Sequence, residues 1–226
     1  MSSASIAMTD SLTKPAGAPS LASALPVDLS HTPLLGILAV NMGAAIASTK
    51  SGQLKSVIPA GMLLQPGRAL CLWGDAGWGA EVAQCKYETG SFSDALVNAA
   101  LHLIKHKWKP EPALAWVAAV PSNRRLKLTQ SFAERLAVQL GLPFHDVLRK
   151  AREVPPQKEM QNSVQQLRNV IGVFSIEGAV PRGPVLLVDD VIDSGWTLCY
   201  LGAMLQAHGS GPVFPFALAK ASPRGG

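Results

Sequence analysis

Residues 185–197 read VLLVDDVIDSGWT, and this short stretch constrains the fold more than any other. Four aliphatic residues run without a polar break into two adjacent aspartates. Such a run is predicted to be a strand over 185–189, buried on both faces, as in parallel sheets covered by helices. Two further apolar residues follow, then Asp193-Ser194-Gly195, Trp196 and Thr197. This is a tight polar turn that opens a helix, expected over 197–207. A turn of that kind offers backbone N–H groups and hydroxyls to an anion, and the helix dipole adds to the attraction. Asp189 and Asp190 fall at the carboxyl end of the strand, where open α/β sheets bind ligands. Gly195 suits the turn because a Cβ there would crowd a close anion or resist a positive φ. Asp193 has a simpler role open to it, as the cap of the following helix.

The rest of the chain alternates helix and strand. Residues 93–108 follow a Ser-x-Ser-Asp start and place Leu96, Val97, Ala100, Leu101 and Ile104 on one helical face. Residues 114–120 form a short apolar run before Pro121, suited to a buried strand. A second amphipathic helix is expected over 130–140, closed by Gly141 and Pro143. Strands are expected over 144–148, at the end of 169–176, and over 213–219. Residues 151–162, with Pro155-Pro156, read as an exposed loop. Strands separated by helices imply an α/β fold, a parallel sheet flanked by helices with right-handed crossovers.

The chain has 226 residues, 48% hydrophobic and 15% charged, enough for one sizeable core plus extensions. Residues 1–32 are read as a flexible arm, rich in Ser, Ala, Thr and Pro. Residues 33–84 are read as an extension packed on the core, and 85–222 as the main domain. The apolar stretch 34–47, LLGILAVNMGAAIA, contains Asn41 and falls short of the ~20 residues that a membrane span requires. No membrane partner is expected. The three cysteines, Cys71, Cys85 and Cys199, show no CxxC spacing, which points to a reducing, cytoplasmic setting. A net charge of +5 favours anionic ligands without choosing among them.

The hydrophobic strand, the Asp189-Asp190 pair, two aliphatics and Asp193-Ser194-Gly195-x-Thr197 together resemble the phosphoribosyl-pyrophosphate (PRPP) motif of type I phosphoribosyltransferases. The resemblance implies that Asp189 and Asp190 hold the ribose hydroxyls, and that Asp193, Ser194, Gly195, Trp196 and Thr197 cradle the 5′-phosphate. It implies Mg²⁺ as cofactor, held mainly by ligand oxygens, with Asp189 and Asp190 as the protein groups able to reach it. It also gives VPSNRR, with Ser122, Asn123 and Arg124, the part of a pyrophosphate loop. Residues 155–161, PPQKEMQ, would be a closing loop whose Lys158 neutralises the leaving group. Asp193 would exchange a proton with the acceptor.

More narrowly, VPSNRR, AERLAVQLGLPF, LRKAREVPPQKEMQNSVQQLRNVIGVF and the Lys86-Tyr87 pair resemble ComF-like proteins associated with DNA uptake. The cysteine-rich zinc region of many such proteins and their Arg-Gly-Phe-Asn run are missing. Residues 66–79, PGRALCLWGDAGWG, resemble the region before a phosphoribosyltransferase-like domain at the C-terminus of some bacterial RecQ-type helicases. Two readings stay open at this point. One is a Mg²⁺-dependent transferase acting on an unidentified, purine-like acceptor. The other is a non-catalytic module that binds PRPP, a nucleotide, DNA or a helicase partner, using basic clusters at Lys105, Lys107 and Lys109, at Arg124, Arg125 and Lys127, and at Arg149, Lys150 and Arg152. Many relatives in this fold dimerise, so a homodimer is an expectation of the same standing.

Overall fold

The protein is described here by a computed structural model covering residues 25–27, 64–121, 127–150, 173–193 and 195–221. In chain order the strands are β1 (Leu25–Val27), β2 (Gly67–Leu72), β3 (Trp116–Ala119), β4 (Leu148–Lys150), β5 (Phe174–Ile176), β6 (Val185–Ile192) and β7 (Val213–Lys220). The α-helices are α1 (Trp78–Gln84), α2 (Asp94–His102), α3 (Leu128–Leu140) and α4 (Trp196–Ala207). The expected apolar segment 34–47 lies outside the described residues. Among the described residues no helix is long and apolar enough to cross a membrane.

Five strands form one sheet in the order β1-β2-β7-β6-β3. The β2–β7, β7–β6 and β6–β3 pairings are parallel, and β1 adds to the edge antiparallel, with Leu25 opposite Ala69. The α/β arrangement read from the sequence is therefore present, with one antiparallel edge strand. Alternation along β6 sends side chains to two cores. Leu186 and Val188 pack with Phe214, Phe216 and the apolar faces of α1, α2 and α3. Val185 and Leu187 pack with Leu198, Leu201 and Leu205 of α4. A strand covered on both faces needs apolar residues at every position, which is what VLLV supplies.

The helices on the first face are tied down locally. Ser93 caps α2, its hydroxyl accepting from the Leu96 N–H at 3.3 Å. Buried Leu96, Val97, Ala99 and Ala100 carry the apolar stripe. The stripe continues through Leu103 and Ile104 into a π-helical turn ending at Trp108. Helix α3 buries Leu128, Phe132, Ala133, Leu136 and Ala137 and ends at Gly141, whose φ of 72° closes the last turn. Phe132 meets Phe92 edge-on, with centroids 5.8 Å apart.

Three local expectations change. First, the strand expected over 144–148 is reduced to a single parallel bridge between Phe144 and Val117. The chain then leaves the sheet, and Leu148–Lys150 pairs antiparallel with Phe174–Ile176 in a separate two-stranded ribbon. Val147 and Leu148 thereby reach the α4 core rather than the sheet edge. Second, β2 was not foreseen as a strand, although Gly67–Leu72 is the internal neighbour of β7. Third, β6 does not end at Asp189. It runs on to Ile192, pairing Val191 with Ala219 and Ile192 with Lys220.

Phe132 is fully buried at the centre of the α2–α3 contact. Its truncation leaves a cavity between helix and sheet. Phe132→Ala is expected to cost about 3–5 kcal/mol of stability, read as a lower urea midpoint at unchanged slope. An unchanged midpoint would show that this core does not hold the helices on the sheet.

Candidate functional site

The site arises from a mismatch in strand length. Strand β3 pairs with β6 only as far as Ala119 opposite Val188, and the Val120 N–H donates to the Val188 carbonyl at 2.8 Å. Beyond that point β6 continues with β7 alone. Asp189 and Asp190 are therefore the first β6 residues with no β3 neighbour, and they open onto a cavity of about 350 Å³. Val120, Pro121, Leu128, Thr129, Lys86, Tyr87, Lys150, Phe174 and Thr197 also line it. A smaller hollow of about 120 Å³ lies along the same strand end, bounded by Asp189, Asp193, Gly195 and Thr197.

The acidic pair is tightly organised. The Asp190 N–H donates to Asp189 Oδ1 at 2.8 Å. Asp190 Oδ2 meets Lys86 Nζ at 2.8 Å, with both side chains largely buried. Lys86 lies on the π-helical turn Cys85–Thr89 that extends α1, a kind of turn often found at functional sites. Its ammonium stands 5.8 Å from the centroid of the Trp73 ring, which in turn meets Tyr87 edge-on at 5.9 Å. Burial, reinforced by the neighbouring Asp190 charge, pushes the Asp189 carboxyl up to about 7; the Asp190 N–H and Lys86 pull against this rise.

The turn after β6 departs from the capping expectation. Gly195 is the N-cap of α4, with φ 77° and ψ −4°, and no side chain accepts a cap hydrogen bond. Asp193 is exposed and does not cap the helix. The left-handed conformation explains the glycine. Gly195 itself brings no side chain to cap α4, and a helix N-terminus of that kind attracts an anion.

Asp189, Asp190 and Thr197 thus share one cavity, and Asp193, Gly195 and Thr197 share the hollow beside it. Trp196 is the first residue of α4. Ser122, Asn123, Arg124, Lys158 and Ser194 lie outside the described residues. Several groups enter the site that the motif does not contain, Lys150, Tyr87 and Phe174 among them. Lys86 is one, and its only sequence signal was the Lys86-Tyr87 pair. Thr129 is another: it is 3% exposed, lies in the first turn of α3 and borders the cavity. One member of the basic clusters is neutralised: Arg149 pairs with Asp146 at 2.6 Å and Glu177 at 2.9 Å. Lys105 keeps its charge and donates to the Gln139 carbonyl at 3.2 Å.

Comparison with known proteins bears on this geometry. Residues 129–213 match the family model of the phosphoribosyl transferase domain. The matched span runs from α3 into the start of β7 and contains the acidic pair and the Gly195 turn. No curated protein matches the chain. Among solved structures, an adenine phosphoribosyltransferase is 22% identical over 57% of this chain and 69% of its own, with a TM-score of 0.39. The Saccharomyces cerevisiae adenine phosphoribosyltransferase, complexed with an imino-altritol bisphosphate and adenine, is 23% identical over 57% and 68%, with a TM-score of 0.40. The allosteric regulatory enzyme of purine biosynthesis is 24% identical over 54% of this chain and 25% of its own, with a TM-score of 0.37.

The donor set was tested for a divalent ion. Among the described residues no three His, Cys, Asp or Glu side chains converge to hold a metal. Asp190 Oδ2 already carries a cation, so a metal bound at that oxygen has to displace Lys86. The pair as it stands does not fit a protein-held Mg²⁺ at that oxygen.

The raised Asp189 pKa has a stability consequence. Between about 4, its usual value, and about 7, its folded value, the native state holds a proton that the unfolded chain has lost. The stability this contributes is complete below about pH 4 and is lost as pH rises through about 7. Asp189→Asn keeps an oxygen to accept the Asp190 N–H and removes the charge. Its melting temperature should exceed that of the wild type at pH 8, with the gap shrinking towards pH 4. A gap independent of pH would contradict the assignment.

Proposed function

We propose that the chain binds PRPP across the carboxyl end of β6 and transfers its phosphoribosyl group to a nitrogen acceptor. The observation that carries this reading is the meeting of Asp189, Asp190 and Thr197 in one cavity beside an α4 N-terminus opened by left-handed Gly195. Two carboxylate acceptors suit the vicinal hydroxyls of a ribose, and the α4 N-terminus suits its 5′-phosphate. The family match over 129–213 supports the same chemistry.

In the reaction the C1–oxygen bond to pyrophosphate breaks and a C1–nitrogen bond forms. Asp189 and Asp190 hold the ring while it becomes oxocarbenium-like, which places C1 between acceptor and leaving group. Pyrophosphate departs towards the loop that carries Ser122, Asn123 and Arg124, and Lys158 supplies positive charge to it. Asp193, exposed and not engaged as a cap, takes the proton that the acceptor nitrogen loses. Mg²⁺, when bound with PRPP, would be held mainly by ligand oxygens and water and would supply charge to the leaving pyrophosphate, in keeping with the few protein ligands this ion usually takes. The acceptor is a planar nitrogen base, purine-like on the resemblance already stated.

The module reading, with DNA or a helicase as partner, ranks second. It rests on the basic clusters, and Arg149 spends its charge on two carboxylates. Retention on DNA that falls steeply between low and moderate salt would favour it.

Calorimetric titration of PRPP with Mg²⁺ is expected to give binding that the Asp189→Asn/Asp190→Asn variant loses while remaining folded. Equal affinity in the variant would remove the ribose role of the pair. In the active protein, Asp193→Asn should lower kcat by about 10²–10⁴ with little change in KM for PRPP.

A further inference from the structure

Lys86 is part of neither the motif nor the proton and phosphate roles assigned so far, yet it borders the cavity, as Lys150 does, and forms an ion pair with Asp190. Its ammonium is 2.8 Å from Asp190 Oδ2, and its side chain is only 24% exposed. It is steered from behind by the Trp73 ring. The turn that carries it is closed by Gly90 at φ 70°, and the Gly90 N–H donates to the Cys85 carbonyl at 2.9 Å. This lysine is therefore a built part of the cavity wall, not a solvated side chain that happens to pass.

We infer that Lys86 takes the place of a divalent cation at the acidic pair, so that the site accepts pentose 5-phosphate monoesters without metal. The inference rests on the proposed ribose role of Asp189 and Asp190. Two adjacent carboxylates repel one another and an incoming phosphate dianion. The ammonium cancels one of those charges through a charge-assisted contact and fixes Asp190 through Oδ2, while the carboxylate's remaining acceptor capacity can take a sugar hydroxyl. A ligand with no pyrophosphate brings no reason to recruit a metal. Lys86 is a positioning residue in this scheme: it acts on the sugar through Asp190.

The test is calorimetric titration of ribose 5-phosphate into the full chain, once with EDTA and once with Mg²⁺. The intact protein is expected to bind with affinities within about twofold under the two conditions. Lys86→Met should bind about tenfold or more weakly in EDTA, the size of one lost charge-assisted contact. Mg²⁺ should restore most of that loss by entering the vacated place beside Asp190. Lys86→Arg should bind without metal as the intact protein does. A purely structural role for Lys86 would give a loss that Mg²⁺ does not repair, and that result overturns the inference. Undiminished metal-free binding by Lys86→Met overturns it too, as does strict dependence on Mg²⁺ in the intact protein. In both of those cases the ribose site itself stands. No binding of ribose 5-phosphate by the intact protein under either condition would instead remove the site and the inference together.

Discussion

The structure depends on a central strand that outlasts one of its neighbours. β6 is sealed on both faces and paired on both edges as far as Val188, and it then continues beside β7 alone. The burial of VLLV leaves no freedom in where the next two residues go. They stand at the exposed step where β3 has ended. Two carboxylates at that step face a wall formed by the end of β3, the start of α3 and the π-helical turn of α1. Among the described residues, the cleft is thus a product of unequal strand lengths.

Charge at that step has to be balanced. Asp189 and Asp190 share a half-buried edge, and their mutual repulsion with burial raises the Asp189 pKa. Lys86 offsets part of this through Asp190, and a backbone N–H offsets part of it at Asp189. Sites that carry perturbed carboxyls beside a specific counter-charge in a cleft are where ligand chemistry is commonly found. The neighbouring α4 start adds the opposite polarity. Its N-cap is a glycine that brings no side chain to the turn, so one end of the cleft favours hydroxyls and the helix end favours an anion. That asymmetry suits the proposed ribose 5-phosphate.

Much of the site was legible because it lies in one contiguous segment whose pattern has a direct physical meaning. Asp189, Asp190, Gly195 and Thr197 could be placed from strand, turn and helix signals alone. Lys86 could not, because it reaches Asp190 from about a hundred residues earlier in the chain, a contact that only the packing of α1 creates. Thr129 was hidden for the same reason: nothing local distinguishes it from a solvated first-turn threonine. The capping role considered for Asp193 gave way because Gly195, in the left-handed region, sets the start of α4 two residues later. Strand β2 was missed since GRALCL is too short for periodicity to separate strand from helix. The 144–148 expectation overreached because Phe144 bridges the sheet once and Val147 then turns to the other core.

Amide chemical-shift mapping with ribose 5-phosphate tests the central claim most directly, since it reports where the ligand lands rather than only whether it binds. The largest shifts are expected at Asp189, Asp190, Gly195 and Thr197, with Lys86 moving in step. Shifts gathered instead along the groove between α2 and α3, at Asp94, Asn98, Glu134 and Arg135, would contradict the placement of the site at the end of β6.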